Sequence, residues 1–474
     1  MHRSHIQWNT VKTIHFIGIS GIGMSALAQF CHHAGRSVQG SCLHHSSLTR
    51  TMADNGVSIF IGHCASVISS AIDVVVVSSA IDRDNAELCA AHQLGIPVIH
   101  RSDLLRCMGK ERSVVAITGT HGKTTTTAMI GHCLRTANLD PLVMVGGIMN
   151  NTGTNVTAGL GTHMVVEADE SDKSHVNFDA IQYGIITNID TDHMDTYDHS
   201  WSVLLDSFCT FIDLAHTRVI MNGNDPGCQA LWERLDTTRR QKVWLCGTHT
   251  NCAIRLVASA NTPTGVCFSC HTPNGQWDDV QLTLWGAYNT GYALLAIGVS
   301  IALGIPKDQV LRGLHSFSGV QRRMQVIGHY RTIPVIDDYA HHPASIKANL
   351  QILHDRGHKR VLCLFQPHRY TRLRDTMHDL KTAFLPAAAC GILPVYDAGE
   401  HPIDGATSQD LVHHLERHQP CHMVDSGPEA LATFVDTIIN QSNQPWDTII
   451  IFGAGTSSQW AHDLVHMPSL KRQA

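Results

Sequence analysis

The sequence predicts an α/β protein of three domains, each built around a largely parallel sheet. The chain has 474 residues, a length that suits about three domains of roughly 150 residues each. Short apolar stretches typical of strands alternate with helix-like stretches along the chain, as in parallel sheets covered by helices. Glycine-rich turns follow strand-like stretches in the first and middle thirds, where α/β folds commonly bind phosphates.

The first predicted domain covers residues 1–107 and has a βαβ pattern. A strand, TIHFIGI (13–19), precedes a helix, MSALAQFCHHAG (24–35). The apolar strand DVVVVSSA (73–80) is followed by the helical stretch NAELCAAHQLG and by the strand IPVIH. Strands joined in this way by helices form a parallel sheet with helices on both faces, so we expect a Rossmann-like domain.

A glycine turn, GISGIG (18–23), lies between the first strand and the first helix of this domain. Backbone N–H groups of such a turn can approach a diphosphate at the helix N-terminus. The dinucleotide pattern G-x-G-x-x-G is incomplete because Ser20 replaces the second glycine, and Cys42 lies where an NAD site has an acidic residue. The turn thus indicates a nucleotide or diphosphate site, or a purely structural turn, more than an NAD site.

The central domain, predicted as residues 108–325, opens with VVAITGTHGKTTTTAMI (114–130). Backbone N–H groups of the glycine loop would surround phosphates, Lys123 would neutralise the transferred phosphoryl group, and the Thr124 hydroxyl would ligate Mg²⁺. The loop departs from G-x-x-x-x-G-K-[ST] because Ile117 stands at the first glycine. It predicts an ATP or GTP site of P-loop type, and a Gly/Thr-rich helix cap is the alternative.

Two acidic clusters follow apolar strands of the central domain. The first comprises Glu167, Asp169, Glu170 and Asp172, and the second comprises Asp190, Asp192, His193 and Asp195. Carboxylates this close repel one another unless a cation lies among them. Because parallel strands end at one edge of a sheet, both clusters are expected beside the phosphate loop and predict a magnesium–nucleotide site. The alternative is a pair of solvated acidic loops.

Changes in the sequence pattern predict the elements in the rest of the central domain and in the third domain. Short segments separated by TPTG and TPNG predict β-hairpins at 252–285, and a helix follows at 288–304. The third domain is predicted as residues 326–474. Its strands precede loops rich in arginine and histidine, which we expect to bind a carboxylate or a phosphate unless they are only solvated loops. The loop sequences are VQRRM (320–324), DDYAHHP (337–343) and QPHRYTRLR (366–374).

Composition excludes several classes of partner. The net charge is −6 and no long basic run is present, so we expect neither nucleic acid nor a membrane surface as a partner. The apolar stretch 292–303 is too short to span a bilayer. Fifteen scattered cysteines indicate reduced thiols. We therefore expect a soluble cytoplasmic protein.

Taken together, these stretches resemble the Mur ligase family. The residues that carry the resemblance occur in the family's order along nearly the whole chain: GISGIGMSALA, VVVVSSAI, TGTHGKTTTT, EADESD, TNIDTDHMDTY, GVQRRM, DDYAHHP, QPHRYTR, VYDAGE and FGAG. The resemblance implies a UDP-binding N-terminal domain, a central ATPase domain and a C-terminal Rossmann-like domain for an amino acid.

It further implies an activity, in which ATP phosphorylates the lactyl carboxylate of UDP-N-acetylmuramate and L-alanine then displaces phosphate from the acyl phosphate. ATP and Mg²⁺ would be required, Mn²⁺ could substitute, and the enzyme would be a monomer or weak homodimer.

The resemblance also assigns residues to each ligand. The nucleotide would contact Gly119, Thr120, His121, Gly122, Lys123, Thr124, Thr125, Asn289, Arg322 and Asp338. Thr124 and Glu170 would hold one Mg²⁺ and His193 a second. His341, Arg369 and Arg372 would face L-alanine or the acyl phosphate, so that these three act with Lys123, Glu170 and His193 as the catalytic set. The UDP-sugar would contact Gly18, Gly21, Ile22, Gly23 and Ser79.

Four positions depart from the family pattern. Tyr288 and Tyr292 stand where the family has His and Asn near the adenine, which could instead stack on a tyrosine. Ser20 and Cys42 replace Gly and Asp in the UDP-sugar domain. A murein-tripeptide recycling ligase that uses the same UDP-sugar is the alternative within the family. A nucleotide-binding dehydrogenase and a motor ATPase are the alternatives outside it.

Overall fold

The computed structural model describes residues 8–467. The chain divides into two compact units, Met1–Val320 and Gln321–Ala474. Within the described residues the first unit contains two sheets and the second unit contains one. The predicted α/β architecture with three sheets is confirmed, and the exact domain boundaries remain predictions.

The first sheet has five parallel strands in the order β3-β2-β1-β4-β5. Its strands are β1 (Thr13–Ile17), β2 (Ser37–Cys42), β3 (Ser58–Ile61), β4 (Val74–Val77) and β5 (Val98–His100). Its helices are α1 (Ile22–His33), α2 (Ser47–Asp54), α3 (Ala86–Gln93) and α4 (Arg101–Gly109). Strand β1 ends earlier than predicted because the chain turns at Gly18, whose φ is +79°, a conformation that glycine adopts without strain.

The second sheet has ten strands in the order β15-β14-β13-β12-β11-β10-β6-β9-β7-β8. The strands are β6 (Ser113–Thr118), β7 (Leu142–Met149), β8 (Thr154–Ala158), β9 (His163–Glu167), β10 (Ile181–Ile186), β11 (Ala215–Asn222), β12 (Val243–Gly247), β13 (Ile254–Thr262), β14 (Gly265–Thr272) and β15 (Gly275–Leu282). The helices are α5 (Lys123–Thr136), α6 (Trp201–Leu214), α7 (Pro226–Arg234), α8 (Thr237–Lys242), α9 (Ala287–Ala302) and α10 (Lys307–Ser316).

Strand β6 pairs in parallel with both β9 and β10. The phosphate loop and both acidic clusters therefore leave the same edge of the sheet, as predicted. The expected hairpins are also present, since β13, β14 and β15 are joined antiparallel. No helix within 8–467 is both long and apolar enough to cross a membrane.

The third sheet has the order β16-β17-β21-β18-β19-β20 and is parallel except for the β16–β17 pair. Its strands are β16 (Gln325–Tyr330), β17 (Ile333–Asp338), β18 (Val361–Phe365), β19 (Ala389–Ile392), β20 (Cys421–Met423) and β21 (Thr448–Phe452). Its helices are α11 (Pro343–Asp355), α12 (Tyr370–Ala383), α13 (Ser408–Leu415), α14 (Pro428–Gln441) and α15 (Ser457–His466). Apolar side chains on both faces of the sheet are buried, as a doubly covered sheet requires.

Candidate functional site

The phosphate loop joins β6 to α5 and is attached to the end of β10. The backbone N–H of His121 donates to Asn188 Oδ1 at 2.8 Å, and the Thr187 hydroxyl donates to the His121 carbonyl at 2.7 Å. Gly119 and Gly122 have φ values of +124° and +79°. A Cβ at Gly119 would overlap Thr187, so glycine is required there by close approach as well as by conformation.

Lys123, the first residue of α5, is held between its own loop and the first acidic cluster. Its Nζ lies 2.7 Å from the Gly119 carbonyl oxygen, 2.7 Å from Glu170 Oε2 and 3.8 Å from Asp169 Oδ1. Burial acts to lower the pKa of Lys123, but the neighbouring carboxylates raise it above its usual value. Burial raises the pKa of Glu170 to about 7, against the opposing effect of Lys123. The cluster therefore holds a charged lysine at the mouth of the loop.

Thr124 contacts a different carboxylate from the one that sequence reasoning placed beside it. Its hydroxyl donates to Glu167 Oε2 at 3.4 Å, and Glu167 also accepts the Gly146 N–H at 2.5 Å. Burial raises the pKa of Glu167. Glu170, the predicted magnesium partner of Thr124, is instead hydrogen-bonded to Lys123.

Two further carboxylates of this cluster are neutralised by an arginine that sequence reasoning missed. Arg101 Nη2, at the start of α4, lies 3.1 Å from Asp169 and 2.9 Å from Asp172. Burial opposes the charge of Asp169, but Lys123 and Arg101 hold the pKa of its carboxyl well below its usual range. The repulsion that suggested a bound cation is thus relieved in part by side chains of the chain itself.

The chain segment that carries the second acidic cluster contacts both the first cluster and the phosphate loop. The Tyr197 hydroxyl donates to the Glu170 carbonyl at 2.6 Å, and the Asp190 N–H donates to the Thr120 hydroxyl at 2.9 Å. His193 has a φ of +56°, and its Nε2 lies 3.6 Å from Asp192 Oδ2. Its side chain is 36% exposed, so the ring is accessible at the edge of the sheet near the loop.

The predicted UDP-sugar residues come together at the carboxyl edge of the first sheet. The N–H groups of Gly18 and Ile19 both donate to the Ser41 carbonyl at 2.9 Å, and Gly21 precedes the first residue of α1, Ile22. Ser79 follows β4 beside them, and its hydroxyl donates to Asp172 at 3.3 Å.

Arg101 connects this turn to the central acidic cluster. A Cβ at Gly23 would lie 3.4 Å from Arg101 Nη1, on the guanidinium that also binds Asp169 and Asp172. The glycine turn and the phosphate loop therefore share one acidic segment between them. The only sequence signal for Arg101 is its position directly after the strand IPVIH.

Tyr292, one of the two tyrosines that differ from the family pattern, packs from the first turns of α9 onto the phosphate loop. A Cβ at Gly122 would overlap the phenol ring of Tyr292, so the ring packs closely on that glycine. Tyr288 lies one turn earlier, with ring centroids 5.8 Å apart. Asn289 is buried and donates to the Trp285 carbonyl at 2.7 Å. Tyr292 thus contacts the phosphate loop, and stacking of the adenine on either tyrosine stays a prediction.

In the second unit, Arg322 and Asp338 connect the loops at the carboxyl edge of the third sheet. Arg322 Nη2 donates to the Gly453 carbonyl at 2.6 Å. Asp338 is buried and accepts the N–H groups of Met324 and Ala340, each at 2.7 Å. Both side chains therefore have partners within this unit, and they hold its loops in place.

The predicted amino-acid residues surround a histidine that sequence reasoning did not single out, although it lies within QPHRYTR. Arg372 Nη1 donates to His368 Nδ1 at 3.2 Å, and the ring centroids of His341 and His368 are 5.8 Å apart. His368 also stacks on Tyr396. Burial, together with Arg372 and Arg369, lowers the pKa of His368 to about 4. Arg369, with a φ of +67°, immediately precedes α12.

Comparison with family models gives three consecutive matches. Residues 13–112 match the model of the Mur ligase family catalytic domain, residues 117–300 the Mur ligase middle domain, and residues 322–455 the glutamate ligase domain of Mur ligases. The three matches fall on the three sheets in order.

Curated proteins and solved structures give consistent similarities. The UDP-N-acetylmuramate–L-alanine ligase of Brucella anthropi is 38% identical over 96% of this chain and 97% of its own length. The enzyme of that name from Mesorhizobium japonicum is 37% identical over the same shares.

Two solved structures extend this likeness. The crystal structure of UDP-N-acetylmuramate–alanine ligase MurC from Thermotoga maritima aligns over 96% of this chain and 98% of its own, with a TM-score of 0.80 and 27% identity. A murein peptide ligase from Psychrobacter arcticus aligns over 97% of this chain and 100% of its own, with a TM-score of 0.67 and 20% identity. The second likeness shows a shared fold alone.

Proposed function

The chain belongs to the Mur ligase family, and we propose that it joins L-alanine to the lactyl carboxylate of UDP-N-acetylmuramate at the expense of ATP. The products would be UDP-N-acetylmuramoyl-L-alanine, ADP and phosphate. The observation that carries the proposal is the acidic segment 167–172, which contacts Lys123 of the phosphate loop and, through Arg101, the glycine turn at Gly23. One segment thus lies between the two elements that we propose bind phosphates, and this placement suits transfer from ATP to a UDP-linked acid.

Each covalent step can be assigned to groups on this chain. A carboxylate oxygen of the substrate attacks the γ-phosphorus of ATP and ADP leaves, which forms the acyl phosphate. Loop N–H groups and Lys123 would bind the phosphates and stabilise the charge that develops on them. The N–H groups at the start of α1 would hold the UDP diphosphate, in contact with Gly18, Gly21, Ile22, Gly23 and Ser79.

The donor set beside the loop fits a magnesium ion. Mg²⁺ prefers oxygen ligands. Thr124 and Glu170 would offer a hydroxyl and a carboxylate, and the Glu167 carboxylate lies 3.4 Å from the Thr124 hydroxyl. When bound, the metal would neutralise charge on the phosphates. His193 would tune a second, weaker site, at which Mn²⁺ is the better match for an imidazole nitrogen.

We assign capture of the amino acid to the C-terminal domain. Arg369 and Arg372 would bind a carboxylate or the acyl phosphate, with His341 beside them. The alanine nitrogen attacks the acyl carbon, loses a proton, and phosphate leaves with one former carboxylate oxygen. His368 holds Arg372 through Nδ1, and this contact supports an ordered arginine at that edge.

The proposal extends to domain roles and cellular setting. Residues 1–107 would bind the UDP-sugar, residues 108–325 would bind ATP with help from Asn289, Arg322 and Asp338, and residues 326–474 would bind the amino acid. The enzyme would act in the cytoplasm in peptidoglycan precursor synthesis, and thereby in cell wall biogenesis, cell shape and division. We propose a monomer or weak homodimer with no nucleic acid or membrane partner.

A phosphate-release assay with ATP and UDP-N-acetylmuramate tests the proposal. Release should require L-alanine, and L-alanyl-γ-D-glutamyl-diaminopimelate should not replace it. Equal or faster release with the tripeptide would instead establish the recycling activity. Release without any amine acceptor would contradict ligation. A dehydrogenase would need an acidic residue at the end of β2, where Cys42 lies.

A further inference from the structure

A buried carboxylate lies beneath the glycine turn of the first sheet. Glu87, in the first turn of α3, is fully buried. Its Oε2 accepts hydrogen bonds from His15 Nε2 at 3.0 Å and from the Ser41 hydroxyl at 2.5 Å. Its Oε1 accepts the N–H of Cys64 at 3.1 Å. Three donors from three separate chain segments thus converge on one carboxylate.

The hydrogen-bond partners of His15 indicate which of its ring nitrogens carries the proton. Gln39, the register partner of His15 on the neighbouring strand, donates its amide to His15 Nδ1 at 3.0 Å. The proton of the imidazole is therefore on Nε2 and is donated to Glu87. Burial opposes the charge of Glu87, but the hydrogen bonds from His15 and Ser41 hold its pKa below its usual value. Glu87 is a satisfied, ionised carboxylate in the interior.

Ser41 transmits this anchoring to the turn. Its side chain is held by Glu87, while its main-chain carbonyl accepts the N–H groups of Gly18 and Ile19, each at 2.9 Å. The strand also approaches closely at this point, since a Cβ at Gly40 would lie 2.6 Å from the Phe16 carbonyl oxygen. The position of the turn is therefore set by the end of β2, and the end of β2 is set by Glu87.

We propose that Glu87 is a positioning residue for the UDP-sugar, which it acts on through Ser41 and the glycine turn without touching the ligand itself. The inference rests on the proposed function, because it assigns the turn to a UDP diphosphate. A buried charge is a costly way to gain stability, and apolar packing of equal volume often serves as well. An ionised carboxylate at this place is explained if it holds the backbone of the nearby glycine turn in one orientation.

The test replaces Glu87 by glutamine, which keeps the size of the side chain and removes its charge. We expect the KM and the calorimetric Kd for UDP-N-acetylmuramate to rise about tenfold. The KM for ATP and kcat should stay within about twofold, because the phosphate loop does not contact this network. A residue that only stabilised the domain would lower the melting temperature and leave the KM and Kd unchanged.

Asp73→Asn is the matched control. Asp73 accepts the N–H groups of Lys12 at 2.7 Å and Thr13 at 2.8 Å, at the opposite end of β1 from the glycine turn. It should lower stability without changing affinity for the UDP-sugar. An equal rise in KM for Asp73→Asn and Glu87→Gln would overturn the proposal, since general loosening of the domain would then explain both.

Ser41→Ala keeps the test decisive if Glu87→Gln does not fold. It removes the hydroxyl that Glu87 holds and retains the carbonyl that binds the turn, so KM and Kd should rise in the same direction. If every folded variant of Glu87 and Ser41 binds UDP-N-acetylmuramate with native affinity, the inference about Glu87 is overturned and the proposed function still stands. A native chain that neither binds nor turns over UDP-N-acetylmuramate would instead overturn the proposed function.

Discussion

Lys123 and Glu170 form a buried ion pair across the phosphate loop, with Nζ and Oε2 2.7 Å apart. The same ammonium also lies 2.7 Å from the Gly119 carbonyl oxygen. The ammonium that we assign to the ATP phosphates is thus held in place by its own loop and by the acidic cluster. This preorganisation leads to the first prediction.

Lys123→Ala should reduce ligation by about 100- to 1,000-fold, as expected for loss of one preorganised charge stabiliser. The protein should remain folded, because Glu170, with a pKa of about 7 even beside the lysine, can take up a proton instead of staying buried as an unpaired anion. Steady-state kinetics and circular dichroism measure the two effects. Lys110→Ala, at an exposed lysine, is the control, and near-native turnover of Lys123→Ala would remove the loop from the mechanism.

Arg101→Gln should lower the free energy of unfolding by about 3 kcal/mol, because it leaves Asp169 and Asp172 without their shared partner in a largely buried setting. Urea unfolding at pH 7.5 measures the change. Arg374→Gln serves as the control, since its pair with Asp375 is more than half exposed and such pairs contribute at most about 1 kcal/mol. Equal losses in both variants would show that Arg101 is an ordinary surface cation.

The buried side chain of His175 leads us to expect that the folded protein loses stability as the pH falls. It is fully buried against Phe208 and Phe211, and burial lowers its pKa to about 4, against about 6.5 in an unfolded chain. As pH falls below about 6.5, the unfolded chain binds the proton first, so stability is lost between about 6.5 and 4.

His175→Phe should remove about 2 kcal/mol of the loss between pH 7.5 and pH 5. Urea unfolding of both proteins at the two pH values gives the difference. An identical pH dependence in the variant would mean that the pKa of His175 is the same in the folded and the unfolded chain.

His193→Ala should slow turnover while leaving ATP binding by the free enzyme nearly unchanged. The side chain lies at the accessible edge of the sheet, where it would contribute to a second metal site that forms only with nucleotide and acyl phosphate present. Raised Mg²⁺ should restore part of the rate, and Mn²⁺ should restore more because it tolerates mixed nitrogen and oxygen ligation. Full activity of the variant at low Mg²⁺ would identify His193 as a solvated loop residue.

Patterns within short stretches of sequence were enough to predict the three sheets and the meeting of the acidic clusters with the phosphate loop. Alternation of apolar strands and helices indicated three parallel sheets, and the strand-end rule brought both acidic clusters to the phosphate loop. The roles of Arg101 and Glu87 depend on contacts with residues 23 to 72 positions away in the chain, and no local motif marks either one. Because these long-range contacts are not visible in the sequence, the acidic residues at 167–172 predict only a metal ion. In the folded chain, Arg101 and Lys123 also supply positive charge to them.

Transfer of oxygen from substrate to phosphate tests the central claim most directly. UDP-N-acetylmuramate labelled with ¹⁸O in its lactyl carboxylate is turned over with ATP and L-alanine, and the released phosphate is analysed by mass spectrometry. Attack of the carboxylate on ATP, followed by displacement by the amine, predicts one ¹⁸O in each phosphate released from doubly labelled substrate. Unlabelled phosphate, with the amide product formed, would contradict an acyl phosphate intermediate.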